Sequence, residues 1–152
     1  MTAPSVSTCL WYESGAEEAA MLYCSLFSDA RILTRMPQVG DPQGRAFLVE
    51  FTLMGQAYTA MNGGPHYKLN PAASIMVMVE TQAEVDRLWS ALLEGGQESR
   101  CGWLTDQFGL SWQIIPRALP RLMKADASGR VMRAMMGMIK LDVAALEAAA
   151  KG

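Results

Sequence analysis

CGWLTDQFGLSWQIIP, residues 101–116, sets a tight turn, a short aromatic strand and a sharp stop within one stretch, and the rest of the chain is read outward from it. Asp106-Gln107-Phe108-Gly109 has turn chemistry, with Gly109 free to take a positive φ. Ser111 to Ile115 has strand chemistry, and Pro116 ends it. Alternation puts Trp112 and Ile114 on one face and Ser111, Gln113 and Ile115 on the other.

Upstream, Ser74 to Glu80 is a nearly continuous apolar strand. Thr81-Gln82-Ala83-Glu84 has the S/T-x-x-E form of a capping box, followed by a helix with Val85, Leu88, Trp89 and Leu92 on one face and ended by Gly95-Gly96. Sliding the chain by 67 positions, the distance from Glu17 to Glu84, brings Ser14 onto Thr81, Ala16 onto Ala83 and Leu26 onto Leu93. The first half therefore reads the same way. Val6 to Tyr12 is a strand, Ser14-Gly15-Ala16-Glu17 a second capping box, and Ala16, Ala19, Tyr23 and Leu26 the apolar face of a helix. Met36 to Gly44 reads as a loop. Phe47, Val49, Phe51 and Leu53 form one face of a strand that Met54-Gly55-Gln56 turns into Ala57 to Asn62. Gly55-Gln56-Ala57-Tyr58 then corresponds to Gly109-Leu110-Ser111-Trp112. The expectation is an α+β chain of two βαβββ modules, about 5–64 and 73–117, joined by the turn-rich segment Gly63 to Pro71 within one domain, 1–152. The tail, 118–152, reads as helices over Leu119–Lys124, Ser128–Lys140 and Leu141–Ala150, the second placing Val131, Met135, Met138 and Ile139 on one side.

Composition narrows the function classes. Thirteen Lys and Arg against fifteen Asp and Glu leave no basic surplus for nucleic acid. The start, MTAPSVSTCLWYESG, lacks a basic region followed by an apolar core, and no apolar stretch approaches the roughly 20 residues that span a bilayer, so a cytoplasmic location without membrane contact is expected. Three cysteines, Cys9, Cys24 and Cys101, at irregular spacing make neither a disulfide framework nor a zinc knuckle.

CLWYESGAEEAAMLYCSLF, MNGGPHYKLN, CGWLTDQFGLSWQIIP and RVMRAMMGMIKLDVAALEAA together resemble the PhnB-like branch of the glyoxalase/bleomycin-resistance/dioxygenase superfamily, the vicinal oxygen chelate proteins, over nearly the whole chain. Relatives of this branch are often labelled 3-demethylubiquinone 3-methyltransferase. No strand here leads into the glycine-rich loop and acidic partner of an S-adenosylmethionine enzyme, so the sequence does not support that activity. The resemblance implies paired modules whose strands curl round a cavity, in a homodimer. It also implies metal ligands, in metal-dependent members, on the first and last strand of each module. Those positions fall at Ser7 or Thr8, at Thr59 or Ala60, at Ser74 and at Gln113, none of them a His or a carboxylate. The expectation is that no metal and no other cofactor is held.

The candidate ligand-binding residues are Thr8, Trp11, Tyr58, Trp103, Trp112 and Gln113, with core packing as the competing reading for the aromatics. Cys101 and the lone His66 are the weak catalytic candidates, as a thiol nucleophile and as a general base or lone ligand. The leading expectation is a metal-free dimer binding a small apolar or aromatic molecule. A metal-independent enzyme on the same scaffold is the alternative.

Overall fold

The computed structural model describes residues 2–152, and Met1 falls outside it. The chain divides into two units, residues 1–69 and 70–152, each built on its own open four-stranded sheet. In the first unit, strand β1 (Thr8–Tyr12) leads into helix α1 (Ala16–Leu26), followed by β2 (Ala30–Gln38), β3 (Asp41–Leu53) and β4 (Gln56–Asn62). The sheet order is β1-β4-β3-β2, with β1 parallel to β4 and the other pairs antiparallel. The second unit repeats this with β5 (Ser74–Val79), α2 (Gln82–Leu93), β6 (Gln97–Glu98), β7 (Trp103–Thr105) and β8 (Ser111–Pro116), in the order β5-β8-β7-β6. The register carries the internal repeat to single residues: Thr8 lies beside Tyr58 in the first sheet, and Ile75 beside Trp112 in the second.

The two helices start differently. Thr81 caps α2, its hydroxyl accepting from Glu84 N at 3.2 Å, while the Glu84 carboxylate reaches back to Glu80 N. The corresponding box does not form on α1. Gly15 is the N-cap in a left-handed conformation, and Glu17 reaches Arg35 at 2.8 Å instead. The free amide of Ala16 is taken by Asn62 Oδ1 at 2.9 Å, with Asn62 Nδ2 donating to Ala46 O at 2.8 Å. A side chain from β4 thus supplies the cap that the local sequence offered, satisfying a helix-end donor and a strand carbonyl together.

Met36–Gly44 is not a loop. β2 and β3 run through it as a hairpin turning at Val39-Gly40, with Gly40 at φ 83°. Pro37 sits on a sheet edge, where its missing N–H costs no ladder bond. Phe47 also departs from the expected face. Met36 pairs with Leu48 but Pro37 with Ala46, so Phe47 is the extra residue of a bulge and is exposed, and Ala46 takes the buried position. At the other end of β3, Met54 and Gly55 both have positive φ, the two-residue turn suited to a twisted hairpin.

Beyond β8 the chain forms α3 (Ala118–Ala125), α4 (Arg130–Met136) and α5 (Val143–Lys151). Their inward residues Leu119, Val131 and Leu146, with Leu141 from the link between α4 and α5, bury Ile115 in a common cluster. The helix expected over Ser128–Lys140 stops at Met136, and Ile139 is exposed. The chain opens there because the carbonyls of Met138 and Ile139 accept from Cys101 N and Gly102 N, both at 2.8 Å. Gln82 clasps the next stretch, accepting from Val143 N and donating to Leu141 O.

Asp126 organises the start of α4. Its carboxylate accepts from the Ser128 hydroxyl, the backbone amide of Val131 and that of Ser128, which hold its pKa down, from the ordinary 3.8 to about 2. The folded pKa lies below the unfolded one, so this contribution is fully present above about pH 4 and is lost as pH falls through about 2. The protection factor of the Val131 amide, its exchange rate relative to an unstructured amide at the same pH, should fall over that window in the wild-type protein and be low already at neutral pH in Asp126→Ala. A Val131 amide that remains equally protected in Asp126→Ala would contradict the assignment.

Candidate functional site

Strand alternation sorts the candidate side chains onto two faces of each sheet. In the first unit Tyr23 of α1 meets Phe51 at a ring-centroid distance of 6.3 Å, and Phe51 stacks on Tyr58 at 5.3 Å and 19°. Tyr58 and its register partner Thr8 therefore share the helix-packed face with the buried Leu10 and Tyr12. Burial pushes the Tyr58 phenol pKa up. In the second unit the equivalent face carries Leu104, Trp112 and Ile114, all at 1% exposure or less, matching the buried row Val85, Leu88, Trp89 and Leu92 of α2. Trp112 donates its indole N–H to Asp106 Oδ2 at 2.9 Å and is a core residue.

The opposite, open faces hold Trp11, Trp103 and Gln113. Gln113 Nε2 donates to Ser74 Oγ at 3.0 Å, joining the ends of β5 and β8 across the parallel pair. In the first unit Ser7 and Thr59 bond through their hydroxyls, also at 3.0 Å. The positions at which the family resemblance places metal ligands are thus side chains that hydrogen-bond to one another within each unit. Two hydroxyls, or a hydroxyl and a carboxamide, are a poor donor set for a divalent transition metal, which prefers imidazole, thiolate or carboxylate. Among the described residues no three His, Cys, Asp or Glu side chains gather to hold a metal. These residues do not fit a resident metal ion.

Trp11 is held from three sides. Its indole N–H donates to Gly64 O at 2.9 Å, Tyr67 meets it edge-on at 5.0 Å and 83°, and a Cβ on Gly63 would lie 2.3 Å from its ring. The connector glycines thus shape the seat of an aromatic side chain. His66, beside Tyr67, is exposed. Cys101 is half-buried in a turn, with φ 60° and its amide bonded to Met138 O. The Cys9 and Cys24 thiols have pKa values raised by burial, which keeps them protonated at neutral pH.

Two features were not singled out from the sequence. Ser111 is 1% exposed and its hydroxyl has no hydrogen-bond partner among the described residues. Asp106, 3% exposed, accepts from Phe108 N at 2.8 Å, Leu110 N at 3.1 Å and the Trp112 indole, tying the turn to the core. An Asp three residues before a turn glycine and six before a Trp was the available signal for the second.

Residues 4–115 match the family described as 3-demethylubiquinone-9 3-methyltransferase. Among solved structures, the chain is similar to the putative 3-demethylubiquinone-9 3-methyltransferase PhnB protein from Bacillus cereus, at 29% identity and TM-score 0.66, covering 74% of this chain and 99% of that one. It is also similar in fold to PA1353 from Pseudomonas aeruginosa, at 20% identity and TM-score 0.62, over 75% of this chain and 98% of that one. The fosfomycin resistance protein FosX from Listeria monocytogenes, solved with Mn(II) and sulfate, shares the fold at 12% identity and TM-score 0.51, over 75% of this chain and 92% of that one. No curated protein sequence matches the chain.

Proposed function

The chain belongs to the family described as 3-demethylubiquinone-9 3-methyltransferase, within the glyoxalase/bleomycin-resistance (vicinal oxygen chelate) superfamily, and from that premise we propose that it is a homodimeric, metal-independent binder of a small, partly apolar or aromatic molecule. The observation that carries the reading is the pair of bonds Ser7–Thr59 and Gln113–Ser74 on open sheet faces that also present Trp11 and Trp103. Hydroxyl and carboxamide groups position a ligand by hydrogen bonds, and indole faces supply apolar contact. Dimerisation is supported by β2, an edge strand exposed along almost its whole length with Ile32, Leu33 and Met36 in solvent.

Methyl transfer is not part of the reading. Each sheet has one parallel pair, β1 with β4 or β5 with β8, where the nucleotide-binding fold of such enzymes uses a mostly parallel sheet opening on a glycine-rich loop. Catalysis without metal is the second reading. It is favoured by the left-handed backbone of Cys101, a conformation that costs energy for a residue other than glycine and is concentrated at working sites.

Calorimetric titration with 2-naphthol tests the proposal. Trp103→Ala should weaken binding about tenfold, the loss of roughly 1.4 kcal/mol of aromatic contact, and Gln113→Ala by several-fold. Cys101→Ser and His66→Ala should leave it unchanged. Undiminished binding in both Trp103→Ala and Gln113→Ala would overturn the assignment of the open face, and turnover of a substrate abolished by Cys101→Ser would replace binding with catalysis.

A further inference from the structure

The open face of the second sheet is built without a formal charge. Register and alternation assign it Ser74 and Met76 from β5, Ser111 and Gln113 from β8, Trp103 and Thr105 from β7, and Gln97 from β6. Glu98, the one ionisable residue in β6, pairs with Leu104 and so belongs to the other face. The face is reachable: Met76 is 58% exposed, and Ser74, Trp103, Thr105 and Gln113 are half-buried. Its far end is closed, because Met78 and Ile115 lie in the cluster formed with the C-terminal helices.

We propose that the site is selective for charge, taking neutral planar molecules that carry a hydrogen-bonding group and rejecting phosphonates and carboxylates. The inference rests on the reading of the open face as a ligand site and adds the ligand's class to it. An anion brought against this surface gives up hydration and meets no Lys, Arg or His in return, a loss that uncharged donors offset only in part. A carboxamide, phenol or quinone loses less on leaving water. Gln113 both donates and accepts, and Ser74 is already within its reach. Trp103, paired in register with Gln113, offers an indole to a planar ring.

Benzamide, benzoate, phenylphosphonate and benzamidinium present one ring with different charge and test the proposal on the wild-type protein at pH 7.5. Benzamide should bind at least tenfold more tightly than either anion and more tightly than benzamidinium. Its amide-proton shift perturbations should centre on residues 74–76, 103–105 and 111–113. Gln113→Lys should narrow or reverse the preference for benzamide over benzoate. An anion or the cation binding as tightly as benzamide would overturn the charge selectivity while leaving small-molecule binding in place. Failure of all four probes and of 2-naphthol to bind would overturn the binding reading itself.

Discussion

Asp106→Ala is expected to destabilise the protein by about 3 kcal/mol or more, read as a lowered urea midpoint at unchanged slope. The carboxylate is 3% exposed and holds three donors, the amides of Phe108 and Leu110 and the Trp112 indole. Removing it leaves those groups without the acceptor that compensates their removal from water, and the Trp112 bond lies in the core. Asp106→Asn separates charge from geometry. Its carbonyl oxygen can keep the two backbone amides, but its NH2 then points at the indole N–H, donor against donor. An intermediate loss, about 2 kcal/mol, follows. If both variants unfold within 0.5 kcal/mol of wild type, on the order of an ordinary surface change, the turn is not tied to the core in this way.

Gly96→Ala is expected to cost about as much, through sterics alone. A Cβ at this position would lie 2.1 Å from Thr105 O and 3.0 Å from the backbone of Asp106. Those are main-chain atoms of the turn that Asp106 anchors, so relief requires moving β7 away from the end of α2. Overpacking of this kind costs about 1–3 kcal/mol, more where backbone must shift. Gly95→Ala provides the contrast, since Gly95 has φ 74° and its Cβ would meet only the Gln107 side chain. That change carries the left-handed backbone penalty of about 1–2 kcal/mol. Gly96→Ala should therefore shift the resonances of Thr105 and Asp106, whereas Gly95→Ala should leave them in place. Equal, small shifts in both would contradict the close approach.

The contrast between these glycines marks what the sequence discloses. Gly95-Gly96 is legible as a helix stop because a left-handed residue after a helix is a local requirement. That Gly96 also makes room for a strand carbonyl is a tertiary fact with no local signature. The buried row Val85, Leu88, Trp89 and Leu92 was readable for the same reason as Gly95: helical spacing is a property of neighbouring residues. Asn62 shows the limit. The box at Ser14 and Glu17 is a sound local signal, yet Asn62, 46 residues on, takes the amide and Arg35 takes the carboxylate. Met36–Gly44 looked like a loop because Pro and Gly are scarce in strands, while an exposed edge strand tolerates both. At the site, alternation already separates Trp112 and Ile114 from Ser111 and Gln113. What it could not supply is which face the helix covers, and that fact places Tyr58 and Trp112 against the helices and leaves Trp103 with Gln113.

The measurement that bears most directly on the central claim is the 2-naphthol titration repeated on protein stripped with chelator and on protein incubated with Mn(II) or Zn(II), with native mass spectrometry on each sample. Equal affinity in all three, with the organic ligand carried by a dimer, is the predicted result. Binding that appears only after a metal ion has been restored would contradict it, and would mean that the Ser74–Gln113 pair opens to admit one.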